Sequence, residues 1–154
     1  MKLTYLNQPF PVALVDVRVL SHATENPDKV LKAFKEVISV PTIEEIEIMR
    51  EKLEGHYGNT IDLMHVKIRT QSLARKIVEN IFSKLEEHDR LWLSANVEDR
   101  LDEEGSLYLR LDKQAAYNGQ LKFADTDQIR VQIKLAIPRK QKEKIIETFR
   151  EIIQ

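Results

Sequence analysis

Apolar and polar residues alternate in several separate stretches of the chain. Between Val12 and His22, Ala13, Val15, Val17 and Val19 fall on one side, and Leu14, Asp16, Arg18, Leu20 and His22 on the other. A period of two predicts a strand with one buried face. The same rule predicts a strand over Ile61–Thr70, with Met64, Val66 and Ile68 inside and Leu63, His65, Lys67 and Arg69 outside. It predicts another over Leu107–Leu111, with Tyr108, Arg110 and then Asp112 pointing out. The cleanest is Ile129–Ile137, with Arg130, Gln132 and Lys134 outside and Pro138 as its stop. Ile43–Glu54 is ambiguous: Ile46, Met49 and Leu53 fit a helix stripe, whereas Ile46 and Ile48 alternate. The glycine-containing stretch Gly55–Asn59 that follows reads as a hairpin loop, which tips the choice to strand. Leu121 and Phe123 suggest one further short strand.

Spacings of three and four predict the helices. Asn26 suits an N-cap and Pro27 the first helical position, where a missing N–H costs nothing. Val30, Leu31, Phe34, Val37 and Ile38 then form an apolar stripe. Ser72–His88 carries Leu73, Ile77, Ile81, Phe82 and Leu85 in register. Asp89 is placed to cap a helix over Arg90–Leu101, although Leu91, Leu93, Ala95 and Val97 also alternate as in a strand. Lys113–Asn118 reads as one helical turn or a bulged crossing ended by Gly119, and Arg139–Ile153 as a terminal helix. Asp102–Gly105 and Asp125–Asp127 read as turns. The expectation is a single α+β domain over residues 1–154. It is a two-layer sandwich, mainly an antiparallel sheet, with helices covering one face and the other left open.

A chain of 154 residues is long enough to bury roughly 68–70% of its unfolded surface in one core. With no cysteine, it has no disulfide, thiol nucleophile or Cys-type zinc site. No apolar run approaches the ~20 residues that span a bilayer, and Met1–Pro9 is too polar for a signal-peptide core. These features lead to the expectation of a soluble, cytoplasmic protein without a membrane partner. Lys+Arg number 24 against 25 Asp+Glu, a net charge of −1, so any basic site must come from segregation of charge. The outward positions supply one: Arg18, His65, Lys67, Arg69, Tyr108, Arg110, Arg130, Gln132 and Lys134, with Asp16 and Asp112 as the acids. Gln128–Lys144 is also basic, and Arg139 and Lys140 would oppose the dipole of the terminal helix. Basic charge beside an aromatic suits a nucleic-acid backbone and its bases. An antiparallel sheet also often has a charged, solvated outer face, and with a near-neutral total the pattern alone favours that plainer reading.

Catalytic patterns are weak. His22, His56, His65 and His88 lack the spacing of a metal-binding pair. A metal-dependent hydrolase would need His22, His56 and an acid to converge. Ser21 and His22 point to opposite faces of a strand, so they do not form a nucleophile–base pair. Asp125 and Asp127 lack the ligand set of a calcium loop. The Gly55–Asn59 loop is not a P-loop, since it lacks the Gly-Lys-Ser/Thr ending. It is either a turn needing positive φ or a rigid loop presenting His56, Tyr57 and Asn59 to a partner. No cofactor, metal or catalytic residue is expected, and the chain is read as non-enzymatic.

His22-Ala23-Thr24-Glu25, Gly55-His56-Tyr57-Gly58-Asn59 and Leu109-Arg110-Leu111-Asp112-Lys113-Gln114-Ala115-Ala116, followed by Gly119, occur in this order along the chain. In these motifs the chain resembles a family of small archaeal proteins described as predicted RNA-binding proteins and exosome subunits. The likeness covers nearly the whole chain. It implies an α+β layer similar to a ribosomal-protein or double-stranded-RNA-binding type. It also implies RNA as partner, an accessory role at the RNA-processing exosome or with other RNA-processing proteins, and RNA-binding candidates at His22, His56, Tyr57, Asn59, Arg110, Lys113 and Gln114. By chemistry Arg110 and Lys113 would hold phosphates, Gln114 and Asn59 a 2′-hydroxyl or base edge, and Tyr57 or His56 would stack. The outward cations Lys67, Arg69, Arg130 and Lys134 complete the candidate set. The alternative is a protein-interaction or assembly module without RNA. A homodimer is compatible with either reading.

Overall fold

The computed structural model describes residues 10–38, 46–55, 58–126 and 128–154. Its elements in chain order are β1 (Val12–Ser21), α1 (Pro27–Ile38), β2 (Met49–Glu54), β3 (Thr60–Ile68), α2 (Gln71–Lys84), α3 (Glu87–Ala95), β4 (Leu107–Leu111), α4 (Lys113–Tyr117), β5 (Ile129–Leu135) and α5 (Lys142–Ile153). The strands form one five-stranded sheet in the order β2-β3-β1-β5-β4. Every neighbouring pair is antiparallel. The helices cover one face, and the fold is the open-faced α+β sandwich that the alternation predicts.

The core lies between the helices and the inward residues of the three central strands. Val15, Val17, Val66, Val131 and Ile133 are fully buried there with Phe34 of α1, Ile77 and Ile81 of α2 and Phe149 of α5. One detail departs from strict alternation. Val12 pairs with Leu135 and Leu14 with Lys134, so Ala13 is the extra residue of a bulge. Val12, and not Ala13, therefore takes the core position.

Side-chain hydrogen bonds account for both ends of α1. Asn26 caps α1, its Oδ1 accepting from the Asp28 N–H at 2.9 Å. At the other end of α1, the Asn80 amide donates to the carbonyls of Glu36 and Val37 at 3.1 and 3.0 Å. These are two of the carbonyls that a helix leaves without intrahelical partners. The Lys84 ammonium adds a bond to Glu36 at 2.6 Å. Thus α2 both packs on α1 and terminates it.

Several boundaries differ from expectation. The helix predicted over Ser72–His88 stops at Lys84. Leu85 is extended (ψ 134°), buried and bridged to Leu121, and tertiary pairing ends the helix without glycine or proline. The next segment is helix and not strand, but it starts at Glu87, so Asp89 is not its cap. The Asp89 carboxylate instead accepts from the Phe123 N–H at 2.8 Å. The helix ends at Ala95, and a single 3-10 turn over Glu98–Arg100 follows. Leu121 and Phe123 make isolated bridges to Leu85 and Leu111 and not a strand. The last helix begins at Lys142, so Arg139 and Lys140 lie before its dipole. Arg139 and Lys142 pair with Glu104 and Glu98 at 3.1 and 3.2 Å, joining the basic and acidic segments. β2 is shorter than predicted, starting at Met49. Ile43–Glu45 and Asp127 lie outside the described residues.

Phe34 is the largest fully buried side chain of α1. Phe34→Ala is expected to cost about 3–5 kcal/mol, the range for emptying such a site. Urea unfolding with an unchanged m-value checks it.

Candidate nucleic-acid interface

Strand register sets the rows of side chains on the open face. His65 stands opposite Arg18, Arg18 opposite Arg130, and Arg130 opposite Arg110. One row perpendicular to the strands therefore carries three guanidinium groups and an imidazole across four strands. At about 4.8 Å per strand this row is roughly 14 Å long. The neighbouring row carries Lys67, Asp16, Gln132 and Tyr108. Arg130 lies over the Tyr108 ring at 4.8 Å from its centroid, a cation–π pair. Burial first, then the Asp102 carboxylate, pushes the Tyr108 phenol above its ordinary 10.0, against the opposing pull of Arg130.

Asp16 is the acid beneath this basic surface and is buried at 4% exposure. Its Oδ1 accepts from Arg18 Nε at 3.2 Å and lies 2.9 Å from His65 Nε2. A carboxylate only accepts, so the imidazole presents its Nε2–H to it. These bonds orient Arg18 and His65 on the face. The carboxylate also forms part of a cleft of about 140 Å³ with Arg18, Tyr108, Arg130 and Gln132. A second cleft, about 340 Å³, lies on the β4 side and shares Tyr108 and Arg130, adding Arg100, Asp102 and Arg110. At the other end of the sheet the open face turns apolar. Leu20 faces Leu63 and Leu53 faces Ile61 across the strands, with Met49 46% exposed.

The predicted site residues divide among several places. Arg110 and Arg130 are adjacent in the basic row. Lys67 is one row away, opposite Asp16, and Lys134 is opposite Leu14. Arg69 lies past the end of β3. Asn59 sits in the β2–β3 turn, where its carbonyl accepts from the Gly55 N–H at 2.6 Å and Gly58 takes φ +78°. His56 and Tyr57 lie outside the described residues. Arg18, His65 and Tyr108 belong to the outward-facing set but were not among the predicted site residues, and the register brings all three onto the basic face, Arg18 on its central strand and Tyr108 on the edge strand β4. Their signal was the alternation itself. What was missing was knowledge of which strands are neighbours.

His22, Lys113 and Gln114 gather elsewhere, where α4 packs against α1. The Asp112 carboxylate caps α4 by accepting from the Ala115 N–H at 2.8 Å. The Lys113 ammonium donates to the Leu20 carbonyl at 2.6 Å and to the two Glu25 oxygens at 2.9 and 3.1 Å. An ammonium has three N–H donors, so these bonds employ all of them. Glu25 Oε1 also accepts from the His22 N–H at 3.0 Å. The first and third motifs thus meet as one clasp between the end of β1 and the start of α4. Gln114 lines the adjacent groove, about 220 Å³, with Asn26, Lys29 and Tyr117. Among the described residues, no three His, Asp or Glu side chains gather as metal ligands. No described helix is long and apolar enough to cross a membrane.

Residues 14–135, from β1 to the end of β5, match the model of a family described as RNA binding. The chain is similar to RNA-binding protein PAB1135 of Pyrococcus abyssi, 37% identical over 145 residues, covering 91% of this chain and 92% of that one. It is similar to the uncharacterized protein MJ0213 of Methanocaldococcus jannaschii, 30% identical over 139 residues, covering 86% and 92%. Among solved structures, protein AF2318 from Archaeglobus fulgidus, of family model DUF54, matches with a TM-score of 0.77 and 32% identity, covering 92% of this chain and 99% of that one.

The clasp has a pH signature. Burial raises the Glu25 carboxyl, but the His22 N–H and the Lys113 ammonium outweigh it and hold it below its ordinary 4.5. A depressed carboxyl stabilises the fold above the unfolded value, and that contribution is lost as pH falls through the folded one. Acid unfolding of Glu25→Gln is therefore expected to be less steep below about pH 4.5 than that of the parent chain. Parallel denaturant titrations at pH 3–7 check it.

Proposed function

The chain belongs to the RNA-binding family, and from that premise we propose that it is a non-catalytic protein that binds RNA on the open face of its sheet. The observation that carries this reading is the transverse row of His65, Arg18, Arg130 and Arg110. Four strands converge their basic side chains on one surface of a chain whose net charge is −1. Lys67 and Lys134 extend the positive field, and the Arg130–Tyr108 pair supplies flat groups beside it. Phosphates neutralised by such a row release counterions, so affinity must fall with salt. Lys113 serves differently. With its donors engaged by Leu20 and Glu25, it holds the β1–α4 clasp and leaves phosphate contact to the arginines.

The finer reading is an accessory of the RNA-processing exosome, which adds protein partners. It rests on the family resemblance, and the apolar corner of Leu20, Leu53, Ile61 and Leu63 supports a protein contact beside the basic row. Affinity capture from an archaeal lysate tests it. Exosome subunits retained after nuclease treatment support it, and their absence removes it.

RNA binding is tested by titrating single- and double-stranded RNA at several salt concentrations. Arg18→Ala and Arg130→Ala are each expected to weaken binding across sequences and to reduce the log–log salt slope by roughly 0.7–1. Lys113→Ala is expected to lower stability and leave the slope unchanged. An absence of binding at low salt to every RNA overturns the function. An unchanged slope in both arginine variants moves the site off the open face.

A further inference from the structure

The cleft over Asp16 has a donor–acceptor pattern that a basic face alone does not need. Repelling phosphate is the expected effect of a carboxylate in an RNA site, yet Asp16 sits at the centre of this one. It is buried at 4% exposure, between Lys67 and Gln132 in its row. Arg18 and His65 both use its Oδ1, and the carboxyl, whose Oδ2 takes no part in those two bonds, lines the cleft of about 140 Å³. The cleft is also lined by the guanidinium groups of Arg18 and Arg130, the Tyr108 ring and the Gln132 amide. Gln132 Nε2 donates to Ser106 Oγ at 3.3 Å, which holds that amide in place.

Building on the RNA-binding reading, we propose that this cleft is a base subsite selective for guanine in single-stranded RNA. Guanine alone among the four bases offers two adjacent donors on its Watson–Crick edge, N1–H and N2–H₂, with the O6 acceptor beside them. A buried carboxylate oxygen suits the donors, and an arginine suits O6 and N7, the commonest specific contact to guanine. Cytosine and adenine each place an acceptor next to their single amino group, which a carboxylate repels. Uracil flanks its one N–H with two carbonyl oxygens. The planar Arg130–Tyr108 pair gives the base a surface to stack on, as unstacked RNA bases require. A base held in a duplex keeps these edges paired, so the subsite takes single strands, loops or bulges.

The test uses the full chain and uridine oligomers that differ at one central position: U, A, C, G or inosine. Inosine keeps N1–H and O6 but lacks the N2 amino group. The expected result is binding of the G oligomer roughly fivefold or more tighter than the U, A and C oligomers, the low end of a good bidentate contact. Inosine is expected to fall between. Asp16→Asn, which preserves shape and the acceptor for Arg18 and His65, is expected to bring the G and U oligomers within about twofold of each other. Thermal unfolding confirms that the variant is folded, and the inosine series reads the same contact on the unaltered chain. Binding of all oligomers with equal affinity overturns the subsite and leaves the RNA-binding reading standing. A folded Asp16→Asn that keeps the full preference for G also overturns it. Failure of every oligomer and every structured RNA to bind at low salt overturns both.

Discussion

The open face depends on the register of β1 between β3 and β5. Val15, Val17 and Val19 pair on both sides with residues that also face the helices. The side-chain period of a strand is two, so a slip of one residue would turn that valine row into water and drive Asp16 and Arg18 into the core. Burial of the valines against α1 and α2 makes such a slip prohibitive. The energy that fixes the basic row is therefore hydrophobic and comes from the opposite side of the sheet. The bulge at Ala13 belongs to the same constraint, because it restores Val12 to the core after the alternation goes out of step.

A near-neutral chain acquires a basic face by sorting charge. Acids outside the row are paired with cations: Glu25 with Lys113 and Glu36 with Lys84 in partly buried pairs, Glu104 with Arg139 and Glu98 with Lys142 on the surface. The transverse row places its positive groups together, with buried Asp16 as the acid that anchors two of them. Such an arrangement gives a local field without a large net charge.

The clasp between Glu25 and Lys113 shows how a motif can be structural and sit close to a site at once. Lys113 ties α4 to the Leu20 carbonyl of β1, and Asp112 starts α4 directly after β4 ends at Leu111. The motif thus holds the edge strand β4 in the position that puts Arg110 beside Arg130. Its lysine helps the basic row by fixing geometry.

Much of the architecture was legible along the chain. Alternation in Val12–His22, Ile61–Thr70, Leu107–Leu111 and Ile129–Ile137 determined which side chains face out, because a half-buried strand needs an apolar residue at every second position. Asn26-Pro27 determined where α1 begins through backbone chemistry local to those residues. The end of α2 at Leu85 was not legible, since its cause is pairing with Leu121, far along the chain. Nor was the fate of Lys113, whose partners Leu20 and Glu25 are distant in sequence. The family resemblance identified motif residues, but which arginines share a row depends on the strand order β2-β3-β1-β5-β4. The sequence by itself determined the two faces of each strand, a property of one segment's periodicity. Only the tertiary structure decided that Arg18, His65, Arg110 and Arg130 stand side by side over a buried carboxylate, because lateral neighbours are set by long-range packing and register.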